Sequence, residues 1–281
     1  MAPSLLTYNR GTLYVFDNAE ARIVALDATT GASRWKVGRA GAGPLEFGGV
    51  AAIAPDRDGG VAVVDIRDRR VTRWSGNGEL VGTISLGAMG GQPNQLCALS
   101  NDRLLLADVF AASLNEMDST GKPVAKRAPI WPDLVGAKWE SHQVVLRNSP
   151  DLALCIAALT SGRGFAILTE RRPPRVVRYV ESFDAYAVGP RKDEKEMSYW
   201  ATFDAAITAD TVMVLFAGRT ADLNRLIDRY SATSGGYLDS YRLPFATKRF
   251  AAGGGLIFVA DSTGTSVLGL RPGRLKSVSG R

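Results

Sequence analysis

Val61-Ala-Val-Val-Asp65, entered from the turn Pro55-Asp-Arg-Asp-Gly-Gly60 and left by a turn to Arg70, is the stretch from which the rest of the chain can be read. A short aliphatic run between turn residues reads as a buried strand, and the acid at its end suits a carboxylate that accepts backbone amides in the next turn. The same unit returns as Leu13-Tyr-Val-Phe-Asp17, Leu104-Leu-Leu-Ala-Asp108 and Ile257-Phe-Val-Ala-Asp261. Two weaker copies are Phe165-Ala-Ile-Leu-Thr-Glu170 and Val212-Met-Val-Leu-Phe216, the second without its acid. Successive anchors lie about 45 residues apart, with one step of about 60, the period of a four-stranded blade in a radial repeat.

Five positions after the acid another strand begins, at Arg22, Arg70, Ser113, Arg175 and Ser266. A turn follows in four copies, at Asp27–Gly31, Ser75–Gly78, Asp118–Gly121 and Ser231–Gly235, and leads to outer strands at Ser33–Val37, Leu80–Ile84, Val124–Arg127 and Tyr237–Arg242. Almost no segment sustains a 3.6-residue period, so the chain is expected to be all-β. Stacking the units around an axis buries both faces of each sheet. The fold expected is a six-bladed β-propeller of four-stranded antiparallel blades. It forms one domain over 1–281, with blades near 1–40, 41–86, 87–130, 144–182, 200–244 and 245–281. Pro3–Tyr8 supplies the first inner strand and Leu275–Val278 the last outer one, with no strand exchange between the chain ends. Trp35, Phe47, Trp74 and Tyr230 are expected as wedges between blades.

The segment Val37-Gly-Arg-Ala-Gly-Ala-Gly-Pro-Leu-Glu-Phe47, with Ala54-Pro-Asp-Arg-Asp-Gly59 and the strand ending at Asp65, resembles an NHL-type repeat. A degraded copy is Gly90-Gly-Gln-Pro-Asn-Gln-Leu96. The stretches Leu226–Tyr230 and Gly236–Pro244 are similar to later blades of bacterial six-bladed propeller proteins of unassigned activity, many of them exported. Ala25–Gly31 with Trp35 is similar to the repeat of quinoprotein-type propellers. The NHL resemblance implies a binding module, in some members one that binds RNA. It leans towards a periplasmic or secreted protein, whereas the start, Met1–Arg10, carries no signal peptide and reads as cytoplasmic.

The 281 residues include 34 Lys and Arg against 28 Asp and Glu, a net charge of +6 that favours anionic partners only where it clusters. The longest apolar run, Leu152–Leu159, is far below the roughly 18 residues of a membrane-spanning helix. Cys97 and Cys155 sit in apolar runs far apart in sequence and are expected as free buried thiols. A single histidine, His142, excludes a multi-histidine zinc site. The run Gly38–Gly43 lacks the Gly-Lys-Ser/Thr ending of a phosphate loop and reads as a blade crossing.

Chemistry on a propeller needs polar groups converging on the axis from several inner strands. Inner strands expected at Val50–Ala54, Gln95–Leu99, Leu152–Ala157 and Ala201–Ile207 offer mainly Gln95, Asp151 and Asp204, a thin oxygen set for a calcium-dependent lactonase-like hydrolase. No catalytic residue, cofactor or metal is assigned. The departures from the repeat are two long connections, Pro129–Val144 and Ser182–Trp200, which flank blade four. They carry Trp131, Trp139, His142, Tyr199 and Trp200 and are expected to share one face with the basic turn holding Arg171, Arg172 and Arg175. The function expected is a noncatalytic scaffold that binds a protein or polymeric ligand there. The alternatives are the lactonase-like hydrolase, or RNA held by the arginines, with an affinity that falls steeply with salt.

Overall fold

The computed structural model describes residues 1–108, 114–127, 144–160, 162–170, 172–180, 202–216, 224–261 and 263–272. Six antiparallel sheets follow one another along the chain. The first is β1 (Pro3–Asn9), β2 (Thr12–Asp17), β3 (Arg22–Asp27) and β4 (Ser33–Val37); the second is β5 (Val50–Pro55), β6 (Val61–Asp65), β7 (Arg70–Trp74) and β8 (Leu80–Ser85). The third is β9 (Pro93–Ala98), β10 (Leu104–Asp108), β11 (Leu114–Met117) and β12 (Pro123–Arg127); the fourth is β13 (Val144–Asn148), β14 (Cys155–Leu159), β15 (Gly164–Leu168) and β16 (Arg175–Arg178). The fifth is β17 (Thr202–Ile207), β18 (Thr211–Phe216), β19 (Leu226–Ser231) and β20 (Tyr237–Arg242). The sixth holds β21 (Phe250–Gly253), β22 (Leu256–Ala260) and β23 (Val267–Leu270); Leu275–Val278 lies outside the described residues. Among the described residues the one helical element is the short 3-10 turn Arg57–Gly59, and no helix is long and apolar enough to cross a membrane.

The first strand of each sheet packs against the first strands of both neighbours, from β1 through β5, β9, β13 and β17 to β21 and back to β1. That closed ring of inner strands is the six-bladed propeller. Within each sheet the strands pair in sequence order, so β1 pairs with β2 of its own blade, and among the described residues no strand is exchanged to close the ring. Closure rests on side chains instead: Leu6, Leu13, Val15 and Val24 of blade one pack with Ala251 and Phe258 of blade six, and Tyr8 stacks on Phe258.

The core is a series of such clusters, one at each blade interface. The second strands of blades one to five bury every side chain, as Val61–Asp65 and Leu104–Asp108 do, because a sheet stacked on both sides has no solvent face. Aromatic wedges fill the widening gaps. Phe47 and Trp74 pack together, Phe165 packs edge-on against Tyr230, and the Trp35 indole N–H donates across the interface to the Gly76 carbonyl at 2.8 Å. Gly78 beside it has φ +84°, and a Cβ there would come within 2.9 Å of the Trp35 ring, so the turn that receives this wedge requires glycine twice over.

The acids act as expected and also do more. Asp65 accepts from Arg67 N and Asp68 N in its own turn and from Gly48 N and Gly49 N in the crossing that enters its blade. Asp17 accepts from Ala2 N, and Asp108 from Gln92 N, so the same carboxylates tie down the incoming chain of blades one and three. Asp261 closes only its own turn, on Thr265 N and Ser266 N.

Blade four departs from the sequence reading by one strand. Its inner strand is β13, not Leu152–Ala157: Ser149–Leu154 folds into a turn in which Leu152 takes a left-handed φ of 60° and Ser149 Oγ receives Leu154 N. Phe165–Leu168 is consequently the third strand and not the second, and Glu170 follows the wrong strand to act as the blade's closing acid. It accepts instead from Ser100 Oγ at 2.6 Å and Asn101 N at 3.1 Å, in the β9–β10 turn of blade three. The expectation of free thiols is also overturned: Cys97 on β9 and Cys155 on β14 form a disulfide, with their Cα atoms 6.2 Å apart. Winding the chain into a ring stacks the inner strand of blade three against the second strand of blade four, a proximity that separation along the sequence conceals.

Candidate functional site at the propeller axis

Polar side chains from three inner strands meet at the axis. Arg147, fourth on β13, is 9% exposed; its Nη2 donates to Asp204 Oδ1 on β17 at 2.5 Å and its Nη1 to Gln95 Oε1 on β9 at 3.2 Å and to the Leu146 carbonyl at 2.7 Å. Gln95 Oε1 also receives Leu146 N at 3.2 Å. Asp204 is fully buried and accepts from Ala205 N at 2.9 Å and, through Oδ2, from Phe250 N at 3.0 Å on β21. One ion pair therefore connects blades three, four, five and six.

The electrostatics follow from burial. Desolvation pulls the Arg147 guanidinium below its ordinary value, the Asp204 carboxylate opposes that shift, and the like charge of Arg249 adds to it. Arg249 lies at the entry to β21 and donates to the Phe203 carbonyl at 3.0 Å. Beside the ion pair, among the inner strands, a small cavity is lined by Thr7, Pro55, Arg147, Asn148, Ala206 and Phe250. Asn148 also reaches the end of β5, its Nδ2 donating to the Pro55 carbonyl at 3.1 Å. Asn9, at the end of β1 in blade one, serves the same turn of blade two, its Nδ2 donating to the Asp56 and Gly60 carbonyls.

Of the oxygen set read from sequence, Gln95 and Asp204 do come together, but around a guanidinium that fills the place between them. Asp151 is elsewhere, hydrogen-bonded to Ser149 Oγ in the β13–β14 turn. Among the described residues no three His, Cys, Asp or Glu side chains gather to hold a metal ion. Arg147 itself was missed by the sequence reading. The longer apolar run Leu152–Leu159 drew the inner strand to the wrong place, although Val144–Asn148 ahead of a Ser-Pro-Asp turn carries the signal of a strand.

The loop residues divide differently from expectation. Trp131, Trp139, His142, Arg171, Tyr199 and Trp200 lie outside the described residues. Both long crossings leave an outer strand and enter an inner strand at the same end of the blades, since β12 ends and β13 begins there, as do β16 and β17. The arginine turn does not share that end. Arg172 and Arg175, both exposed, belong to the β15–β16 turn, and a third-to-fourth-strand turn emerges on the opposite face. The Glu170 contacts to the first-to-second-strand turn of blade three place it there independently.

No family model matches the chain, and no curated protein matches its sequence. Solved structures do match. The nidogen/laminin complex contains a chain similar at 13% identity and a TM-score of 0.60, covering 95% of this chain and 88% of that one. A streptogramin B lyase is similar at 10% identity and a TM-score of 0.57, covering 96% and 83%. The virginiamycin B lyase of Staphylococcus aureus follows at 11% identity and a TM-score of 0.54, covering 98% and 85%. At these identities the likeness establishes the six-bladed propeller, a fold shared by enzymes and binding scaffolds alike.

Proposed function

We propose that this chain is a noncatalytic propeller that holds a protein or polymeric ligand on the face where crossings 128–143 and 179–201 flank blade four. The observation that carries this reading is the Arg147–Asp204–Gln95 cluster. Arg147 and Asp204 neutralise each other at the axis and, through Gln95 and Phe250 N, tie four blades together, which is the work of a structural pin. A lactonase-like calcium site would need those same oxygens free around a cation, and a guanidinium takes that position.

The two long crossings stand out against 86–92 and 243–249, the short connections of the same face. Insertions on a repeat commonly build its contact surface, and three of the five tryptophans fall within these two. Among the structural neighbours is a chain of a nidogen/laminin complex, a propeller crystallised with a protein partner. A virginiamycin B lyase variant with a histidine replaced by alanine is named as catalytically inactive. This chain has a single histidine, His142, outside the described residues. RNA binding draws less support, because the arginine turn sits on the face opposite the long crossings.

The test is affinity capture from source extract with wild type, Trp131→Ala/Trp139→Ala and Arg172→Ala/Arg175→Ala, each first shown to melt as the wild type does. A polymer retained by the wild type and the arginine variant, and reduced tenfold or more by the tryptophan variant, is the expected result. Equal retention by all three removes the crossing face from consideration.

A further inference from the structure

We propose that the Cys97–Cys155 disulfide is a maturation latch: it is acquired in an oxidising compartment and supplies the hold on blade four that a strand-end carboxylate supplies in blades one to three. The inference is independent of which ligand the propeller binds. In blades one, two and three the second strand ends in Asp17, Asp65 or Asp108, and each accepts an amide from the chain arriving at its blade. Blade four has the long crossing 128–143 ahead of it, and its second strand, β14, ends at Leu159-Thr160 with no acid. On that same strand stands Cys155, bonded to Cys97 on the inner strand of blade three.

The covalent link thus holds blade four, whose incoming connection is long and whose second strand lacks the carboxylate, to blade three; blade five shares both features and carries no cysteine, so the bond serves blade four alone. Both cysteines are fully buried, inside a cluster that blade three feeds with Leu105, Ala107 and Leu114 and blade four with Val144, Leu146 and Leu159. A dissolved reductant reaches the sulfurs only after the blades part, which marks a structural bond and not an exposed exchange site. Such bonds accumulate where dithiols are oxidised, outside reducing cytosol. The donor is an oxidised dithiol carrier. One cysteine thiolate attacks its disulfide, the mixed disulfide forms, and the second cysteine thiolate displaces the carrier; two protons and two electrons leave the chain and the carrier departs as a dithiol.

The full chain is produced once with export to an oxidising compartment and once in reducing cytosol. Expected for the exported protein is an intact mass lower by two hydrogens, no thiol labelling in denaturant without reductant, and no reduction by dithiothreitol under native conditions over hours. Cys97→Ala/Cys155→Ala is expected to melt about 8–12 °C lower. Its amide exchange should be at least tenfold faster in Val144–Asn148 and Cys155–Leu159, and unchanged in Thr12–Asp17. Should that variant fail to accumulate, the wild type reduced in mild denaturant and alkylated gives the same exchange comparison. Two free thiols in the exported protein, or equal melting and exchange with and without the bond, overturns the proposal. Neither result bears on the ligand capture described above.

Discussion

Blade two and blade four have the same four strands and are held by different means. In blade two, Asp65 gathers amides from its own turn and from the incoming crossing, while Arg70 donates to the Gly43 and Glu46 carbonyls of that crossing at 2.8 and 2.7 Å. Arg73 then clamps Asp56 through two hydrogen bonds and reaches Asp102 of blade three. Its pairing with Asp56 raises the guanidinium's affinity for its proton against the cost of burial. Blade four has no acid at the corresponding strand end. It is fastened through the axis by Arg147, through the interface by the disulfide, and at its exit by Tyr179, whose hydroxyl meets Thr202 Oγ1 at 2.6 Å. Blade two is fastened chiefly by side chains that bind the backbone of its own crossing, whereas blade four, between long crossings, is fastened chiefly by bonds to its neighbours.

The sharpest way to break this comparison is at the axis. Arg147→Met leaves Asp204 buried without its cation and is expected to cost about 3–5 kcal/mol in urea unfolding. Arg147→Met/Asp204→Leu should recover much of that loss, because removing both charges removes the desolvation penalty; no recovery would show that the pair is not acting as a unit. Asp65→Ala comes next. It orphans four amides in blade two and should cost about 2–4 kcal/mol, in the range of several charge-assisted bonds, whereas Glu170→Ala, at the displaced acid of blade four, should cost under about 1 kcal/mol. Equal losses for these two would erase the distinction between the blades.

Alkaline pH sharpens the comparison further. Burial pushes Tyr14 up to about 12 and raises Tyr179 and Tyr230 beyond that. In the unfolded chain tyrosine ionises near pH 10, so stability is full below that point and is lost as pH rises through the folded values. Circular dichroism in moderate urea should therefore show a falling midpoint from pH 10 to 12, less steep in Tyr179→Phe. The smallest effect belongs to Arg172→Ala/Arg175→Ala, expected to leave stability within about 0.5 kcal/mol because both side chains are exposed.

How far the sequence could be read depended on whether a residue's role was local. Asp65 announced itself because a carboxylate closing a four-residue turn acts on its own neighbours. The outer strands Ser33–Val37 and Tyr237–Arg242 appear where the turns before them place them. Blade four failed the same reading because its markers are shifted: the buried turn residue Leu152 extends the apolar run of β14, and Glu170 mimics a strand-end acid while serving the turn of another blade. Gln95 and Asp204 were visible as polar residues in inner strands, but the cation that joins them was hidden in a strand assigned elsewhere.

Alternating turns and aliphatic runs at a steady period determined, without any coordinates, that the chain would be all-β and would close as six blades, since the burial of each sheet on both faces demands it. Tertiary structure alone decided which polar groups face one another across the axis, that two cysteines one blade apart are bonded, and that the arginine turn emerges at the end of the blades opposite the strand ends joined by the long crossings. Those outcomes depend on strand count within a blade. A slip of one strand, invisible in local composition, reverses the end of the sheet at which every following loop emerges.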